Sequence, residues 1–272
     1  MRTRFAIASL ALVLTACGGG GATAPTPTPT PTPSPAMVQA TLWFVGDTPL
    51  GFRLYPEVHA VPAMDGVALS ALRALVDDGM RPDDPDLVSP WADAGSTVRS
   101  LARDDGGATI DLALGRLNVG AEAEARAIDQ LIMTVASADP TVATVTLLVD
   151  GEPVESLAGH VDATRPFAVA DGAAAIATVT LAEPTEGATV AGDLVIGGEA
   201  CTFEAAVPWQ VLRDDEVVAE GTALAAEACP VRSAWTADVG ALPPGTYTVR
   251  AYDLSARDGS LIAEDTKTVT IA

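Results

Sequence analysis

An α+β domain followed by an all-β sandwich, with a disordered tether in front of both, is the fold class this sequence predicts. Three observations carry it. Apolar residues at helical spacing occur in two segments before residue 168, whereas from residue 174 onward only short alternating runs recur, separated by Gly, Pro and Asp. A single apolar stretch at the start is cut off by Cys17 and by a Gly-rich, then Thr-Pro-rich tract. The organisation that follows is a leader over 1–17, a linker over 18–37, an α+β domain over 38–168 and a sandwich over 174–272.

Arg2 and Arg4 form a positive start, and the apolar run from Phe5 to Leu14 is far shorter than the roughly 20 residues a membrane-spanning helix requires. Leu14-Thr15-Ala16-Cys17 resembles a bacterial lipobox, with small residues ahead of the bond to be cut. That resemblance implies cleavage before Cys17, a diacylglyceryl group on its sulfur, and a position on the outer face of the cell membrane. One acyl chain binds only marginally, at about 0.8 kcal/mol per buried methylene, so two chains are what make such an anchor durable. No polybasic patch follows Cys17 to assist the lipid. Beyond the flexible Gly18 to Gly21, the repeated Thr-Pro of Thr26 to Pro35 predicts a polyproline II rod, because proline fixes φ and removes the amide donor. At about 3.1 Å per residue its ten residues reach ~31 Å from the lipid surface.

Aromatic residues make up only 4% of the chain, so the core must come from Ala, Val, Leu and Ile. The formal net charge of −21 excludes nucleic acid and anionic headgroups as attractive partners. Lys267 is the only lysine. Of the three cysteines the lipobox takes Cys17, leaving Cys201 and Cys229 as an expected disulfide outside the cytoplasm. No Cys-x-x-Cys spacing suggests zinc or thiol redox chemistry.

In the first domain Thr41 to Val45 and Gly51 to Tyr55 read as strands, with Pro56 expected to limit their ladder. Leu69, Leu72, Leu75 and Val76 share one face of a helix over about 66–78, and Gly79 stands at a C-terminal cap position. Arg81 to Trp91, with its prolines and acids, reads as an irregular loop pinned by a buried Trp91. Two alternating runs, Thr97 to Ala102 and Thr109 to Ala113, flank Asp104-Asp105-Gly106-Gly107 as a hairpin. Asn118 is the expected cap of a second helix buried through Ile128, Leu131, Ile132 and Val135 and ending before Pro140. A strand from Val142 to Val149 then turns at Asp150-Gly151, so that helices are expected on one face of a small sheet.

The second domain reads as seven strands: Thr178 to Leu181, Thr189 to Ile196, Phe203 to Leu212, Glu216 to Ala219, Ala234 to Val239, Thr246 to Tyr252 and Thr266 to Ile271. In the third run Phe203, Ala205, Val207, Trp209 and Val211 share one parity, which predicts a central strand with Trp209 in the core.

The segments Ala127 to Thr134, with Gln130 and Thr134, and Val142 to Val154 make Thr41 to Phe167 resemble a GerMN domain, the module named for spore germination and sporulation proteins. Phe203 to Val207, Pro243 to Tyr247 and Tyr252 to Ser260 are similar to the immunoglobulin-like domain of bacterial spore germination. The first resemblance implies no catalytic residues; its fold is related to ring-building envelope modules, which implies assembly rather than chemistry.

The residues themselves agree. His59 and His160 are the only histidines, and no Gly-x-Ser-x-Gly, His-Glu-x-x-His, Ser-x-x-Lys or phosphate-binding Gly-Lys pair accompanies them. Asp77, Asp78, Asp83, Asp84 and Asp86 could cup calcium, but their spacing fits no EF-hand loop and Pro82 and Pro85 interrupt it, so they read as solvated acids. Asp253, Arg257 and Asp258 read as turn-forming. The sequence therefore predicts a non-enzymatic envelope lipoprotein without cofactor or metal, serving as an assembly or docking scaffold for envelope proteins or copies of itself. The alternative is a ligand-binding accessory that takes wall glycan or a small solute between its two modules.

Overall fold

In the computed structural model the described residues are 35–272; the lipobox, Cys17 and the Thr-Pro tract lie outside them. Strands β1 (Met37–Thr48) and β2 (Gly51–Pro62) form a long hairpin, and β3 (Leu87–Val88) pairs with β1 to complete a sheet in the order β2-β1-β3. The ladder does not stop at Pro56, which stands opposite Trp43 in the middle of β2. As an outer strand β2 tolerates a residue without an amide donor.

Helix α1 (Val67–Val76) follows, buried through Leu72, Leu75 and Val76. Gly79, with φ of +59°, ends it as expected, and a Cβ there would lie 2.4 Å from the Ala92 carbonyl. The loop to residue 91 is irregular, and Trp91 pins it: the side chain is 1% exposed and its indole N–H donates to the Ala127 carbonyl at 3.0 Å.

The expected hairpin is present as β4 (Thr97–Asp104) and β5 (Gly107–Ala113). α2 (Ala121–Ala138) crosses from β5 to the parallel β6 (Thr144–Val149), with short β7 (Glu152–Pro153) and β8 (Phe167–Ala168) also paired to β6. Thus two small sheets stand where one was expected, packed on one apolar core with α1 and α2. Asn118 does not cap α2. Gly120 occupies that position, and Glu122 and Glu124 in the first turn supply negative charge to the helix start.

After α3 (Val169–Ala173) the chain is all-β. β9 (Val179–Glu183), β10 (Thr189–Val190), β11 (Leu194–Ala200), β12 (Ala206–Arg213), β13 (Glu216–Leu224), β14 (Ser233–Gly240), β15 (Gly245–Leu254) and β16 (Leu261–Ile271) form two sheets, β14-β11-β9 and β10-β16-β15-β12-β13. Val207, Trp209 and Val211 point into the core between them. The sequence reading changes in three details. The single run expected over Thr189 to Ile196 divides into β10 and β11, which lie in opposite sheets, so that there are eight strands where seven were expected. β12 lies one place in from the edge while β15 is central, and Phe203 is outside the stripe at 69% exposure. Glu204 and Ala205 both take positive φ, near 59° and 58°, which breaks the alternation before β12 begins. The turn after β15 is built by Asp258, whose carboxylate accepts from the amide and hydroxyl of Ser260, whereas Asp253 is buried within β15.

Cys201 and Cys229 are joined, with Cα atoms 4.5 Å apart, across a separation of 28 residues. On the chain-entropy account, replacing both by Ser destabilises the protein by about 3.5 kcal/mol. Guanidinium unfolding of residues 18–272 checks this; a loss below about 1 kcal/mol would mean the loop is already constrained without the bond.

Candidate functional site

Residues 35–272 form one compact unit, and its functional geometry lies where the α+β half meets the sandwich. The backbone itself crosses the junction. Leu54 in β2 donates to the Ala175 carbonyl at 2.9 Å and accepts from the Ala177 amide at 3.1 Å, so the connecting segment pairs with β2 before β9 starts. Tyr55 next to it donates its hydroxyl to the Glu264 carbonyl in β16 at 2.9 Å, and burial pushes its phenol well above the usual range. A Cβ at Gly46 would stand 2.6 Å from that ring, so only glycine lets Tyr55 lie flat against β1.

At the centre is Lys267. The ammonium reaches 2.6 Å from Asp84 Oδ2, in the acidic loop, and 2.7 Å from Asp265 Oδ1 on its own strand. All three side chains are about 4% exposed or less. Asp265 also accepts the Leu181 amide at 2.7 Å, and Asp84 accepts the Asp86 amide at 2.9 Å. Burial opposes the charge on Lys267, but the two carboxylates outweigh it and hold its pKa above the ordinary lysine value. Asp84 is therefore not a solvated loop acid. Nor does Asp77 serve a calcium cup, since one of its oxygens takes the Val98 amide at 2.6 Å.

Glu57 in β2 orients the loop that delivers Asp84. Its two oxygens accept the amides of Asp83 at 2.8 Å and Asp84 at 3.0 Å, and Oε2 also bonds His59 Nε2 at 2.7 Å. Burial raises the Glu57 pKa, yet these donors outweigh it and leave it below the usual value. The same bond holds the His59 pKa above its ordinary value.

Beside this cluster a cleft of about 500 Å³ opens between the halves. Trp43, Pro56, Val58 and Leu181 supply apolar wall, and Glu57, Asp83, Glu186 and Glu199 supply carboxylates. The one cation on its lining, Lys267, is already paired twice. Trp43 is fixed from behind by α2, donating to Ser137 Oγ at 2.9 Å while its carbonyl accepts from Gln130 at 2.6 Å. His160, in contrast, is drawn elsewhere: its amide donates to Glu124, a buried carboxylate that also accepts from Ser156, Leu157 and Ala158. Burial raises Glu124, but these bonds outweigh it and set its pKa below normal. Sequence reasoning missed Glu57, Glu124 and the Lys267 pairing. The lone lysine in so acidic a chain was the one available signal.

Replacing Lys267 by Met leaves two buried carboxylates without a counter-charge and costs about 3–5 kcal/mol, measured by denaturant unfolding. The triple variant Asp84→Leu, Lys267→Met, Asp265→Leu recovers most of that loss. Stability also depends on pH with a definite sign. Burial pushes Asp129 up to about 6 from an ordinary 3.8, so at this site the folded state takes a proton more readily and gains stability as pH falls through 6 toward 4. Below that it loses stability, as Glu124 and Asp258, the latter held at about 2 by Ser260 and Ser255, are protonated. The thermal midpoint between pH 8 and 3 should thus peak at about pH 4–6.

Comparison with known proteins places both halves. Residues 41–155 match the family described as sporulation and spore germination, and residues 178–260 match the immunoglobulin-like domain of bacterial spore germination. No curated protein matches the chain. Among solved structures, a lipoprotein candidate from Clostridium perfringens is 22% identical over 50% of this chain and 89% of its own, with a TM-score of 0.34. The first GerMN domain of the sporulation protein GerM from Bacillus subtilis is 19% identical over 48% of this chain and 97% of its own, with a TM-score of 0.39. The tandem GerMN domains of the same protein are 14% identical over 52% of this chain and 49% of theirs, at 0.38. Among the described residues no helix is long and apolar enough to cross a membrane. The two family matches identify residues 41–155 as a domain of the sporulation and spore germination family and residues 178–260 as an immunoglobulin-like domain of bacterial spore germination.

Proposed function

We propose that this protein is a non-enzymatic docking module of the cell envelope, anchored by lipid on Cys17 at the outer face of the membrane. Its docking site is the cleft between the two halves, and its partner is an envelope protein that presents a basic segment. The observation that supports this most is the composition of that cleft: four carboxylates, of which Glu57 is already held by its own loop, and an apolar wall, with its single cation neutralised from within. A basic segment gains charge complementarity there and covers Pro56 and Val58. A second copy of this chain, at a net charge of −21, is a poor occupant. The cleft volume of about 500 Å³ also lies within the range of small-ligand sites, which favours capture of a wall glycan fragment or solute as the second reading.

Pull-down from detergent extracts with residues 18–272 should retain an envelope protein, more weakly as salt rises, and Glu199→Lys should reduce capture at least tenfold. A monomer that captures nothing, yet rises in melting temperature with muropeptides, would instead support the second reading. Mass spectrometry of the mature protein should find a diacylglyceryl-modified Cys17 as the first residue; a retained leader would end the tethered account.

A further inference from the structure

The structure brings together three side chains that no motif joins. Glu57, His59 and Asp83 each offer a ligand atom, and these atoms lie within 4.8 Å of one another. Glu57 and His59 are two residues apart on β2, so they share a face, while Asp83 arrives from the loop that Glu57 itself holds. The His59 side chain is nine-tenths buried, with the edge of Phe44 against its ring at 5.5 Å between centroids. Its Nε2 is taken by Glu57. With the proton on that nitrogen, Nδ1 carries a lone pair, has no hydrogen-bond partner among the described residues, and faces Asp83 Oδ2 at 3.9 Å. That distance is too long for a hydrogen bond. It exceeds by about half an ångström the ~3.4 Å between two donors of a tetrahedral ion, a gap that rotation of the exposed Asp83 carboxylate closes.

We propose that His59 Nδ1 and the Asp83 carboxylate bind a divalent transition-metal ion of the zinc class at the wall of the cleft. Glu57 is the positioning residue, fixing the imidazole by its other nitrogen, as carboxylates commonly do behind metal-bound histidines. An imidazole in the donor set favours zinc, copper or nickel over calcium or magnesium. Two protein ligands leave the remaining positions to be filled from solvent, on the side where the Asp83 side chain is 71% exposed and borders the cleft. Water, or a donor from whatever occupies the cleft, completes the shell. The proposal does not rest on the docking reading, although Glu57 and Asp83 also line the cleft on which that reading stands.

Isothermal titration of zinc chloride into metal-free residues 18–272 at neutral pH tests it. The expected result is one equivalent bound, with calcium failing to compete. Asp83→Asn, at an exposed position that leaves the fold intact, and His59→Asn should each weaken binding at least tenfold. Glu57→Gln should weaken it about 10–100-fold; since its one amide oxygen can accept only one of the two loop amides, circular dichroism and unfolding of this variant are measured beside the titration. His160→Gln, at an exposed histidine, should change nothing. Imidazole NMR should show zinc perturbing His59 at Nδ1 and leaving His160 unmoved. Binding that survives Asp83→Asn at full strength, is lost with His160→Gln, or exceeds no more than a trace in the unmodified protein would overturn the proposal.

Discussion

Everything at the junction depends on one buried ammonium. Lys267 stands between Asp84 and Asp265, a carboxylate from each half of the molecule, with almost no solvent contact. Such a cluster is poor evidence of stability in itself, because the cost of desolvating three charges consumes most of the attraction among them. What it supplies is registration. In the observed seating of β16 on the acidic loop neither carboxylate is buried without the ammonium. The backbone pairing of Leu54 with Ala175 and Ala177 and the bond from Tyr55 to Glu264 reinforce that arrangement with neutral groups.

The acidic loop owes its shape to Glu57. By accepting the amides of Asp83 and Asp84 it turns two neighbouring acids to opposite fates. Asp84 enters the core toward Lys267, while Asp83 faces solvent and His59. Glu124 does the same for the segment around His160, gathering its amides on a buried carboxylate. In a chain this acidic, carboxylates are therefore structural acceptors as much as surface charge. Buried amides need partners, and an ionised carboxylate is a strong one.

The family matches say what kinds of domain these are, but function resides in the site rather than in the fold. Both family regions stop short of explaining the cleft, which exists only because the two halves share a boundary. Its carboxylates come from β2, the acidic loop, β11 and the turn before β10, which are adjacent in space and scattered along the chain.

Local order was legible because it has local causes. The spacing of Leu72, Leu75 and Val76 marks α1, that of Ile128, Leu131 and Ile132 marks α2, and Asp105-Gly106 marks the hairpin, each a pattern a few residues long. Cysteine parity identified the pair Cys201 and Cys229 in the same way. Local rules erred where a neighbour overrode them: at Pro56, tolerated by an outer strand, and at Phe203, cut from its stripe by positive φ at Glu204 and Ala205. By itself the sequence determined the order of the longer elements, though not the short β3, β7, β8 and α3, and the chemical character of the surface. Only the tertiary structure decided that Lys267 meets Asp84 across 183 residues and that Asp83 comes to face His59, because a contact between distant segments is set by the packing of whole sheets and leaves no periodicity behind.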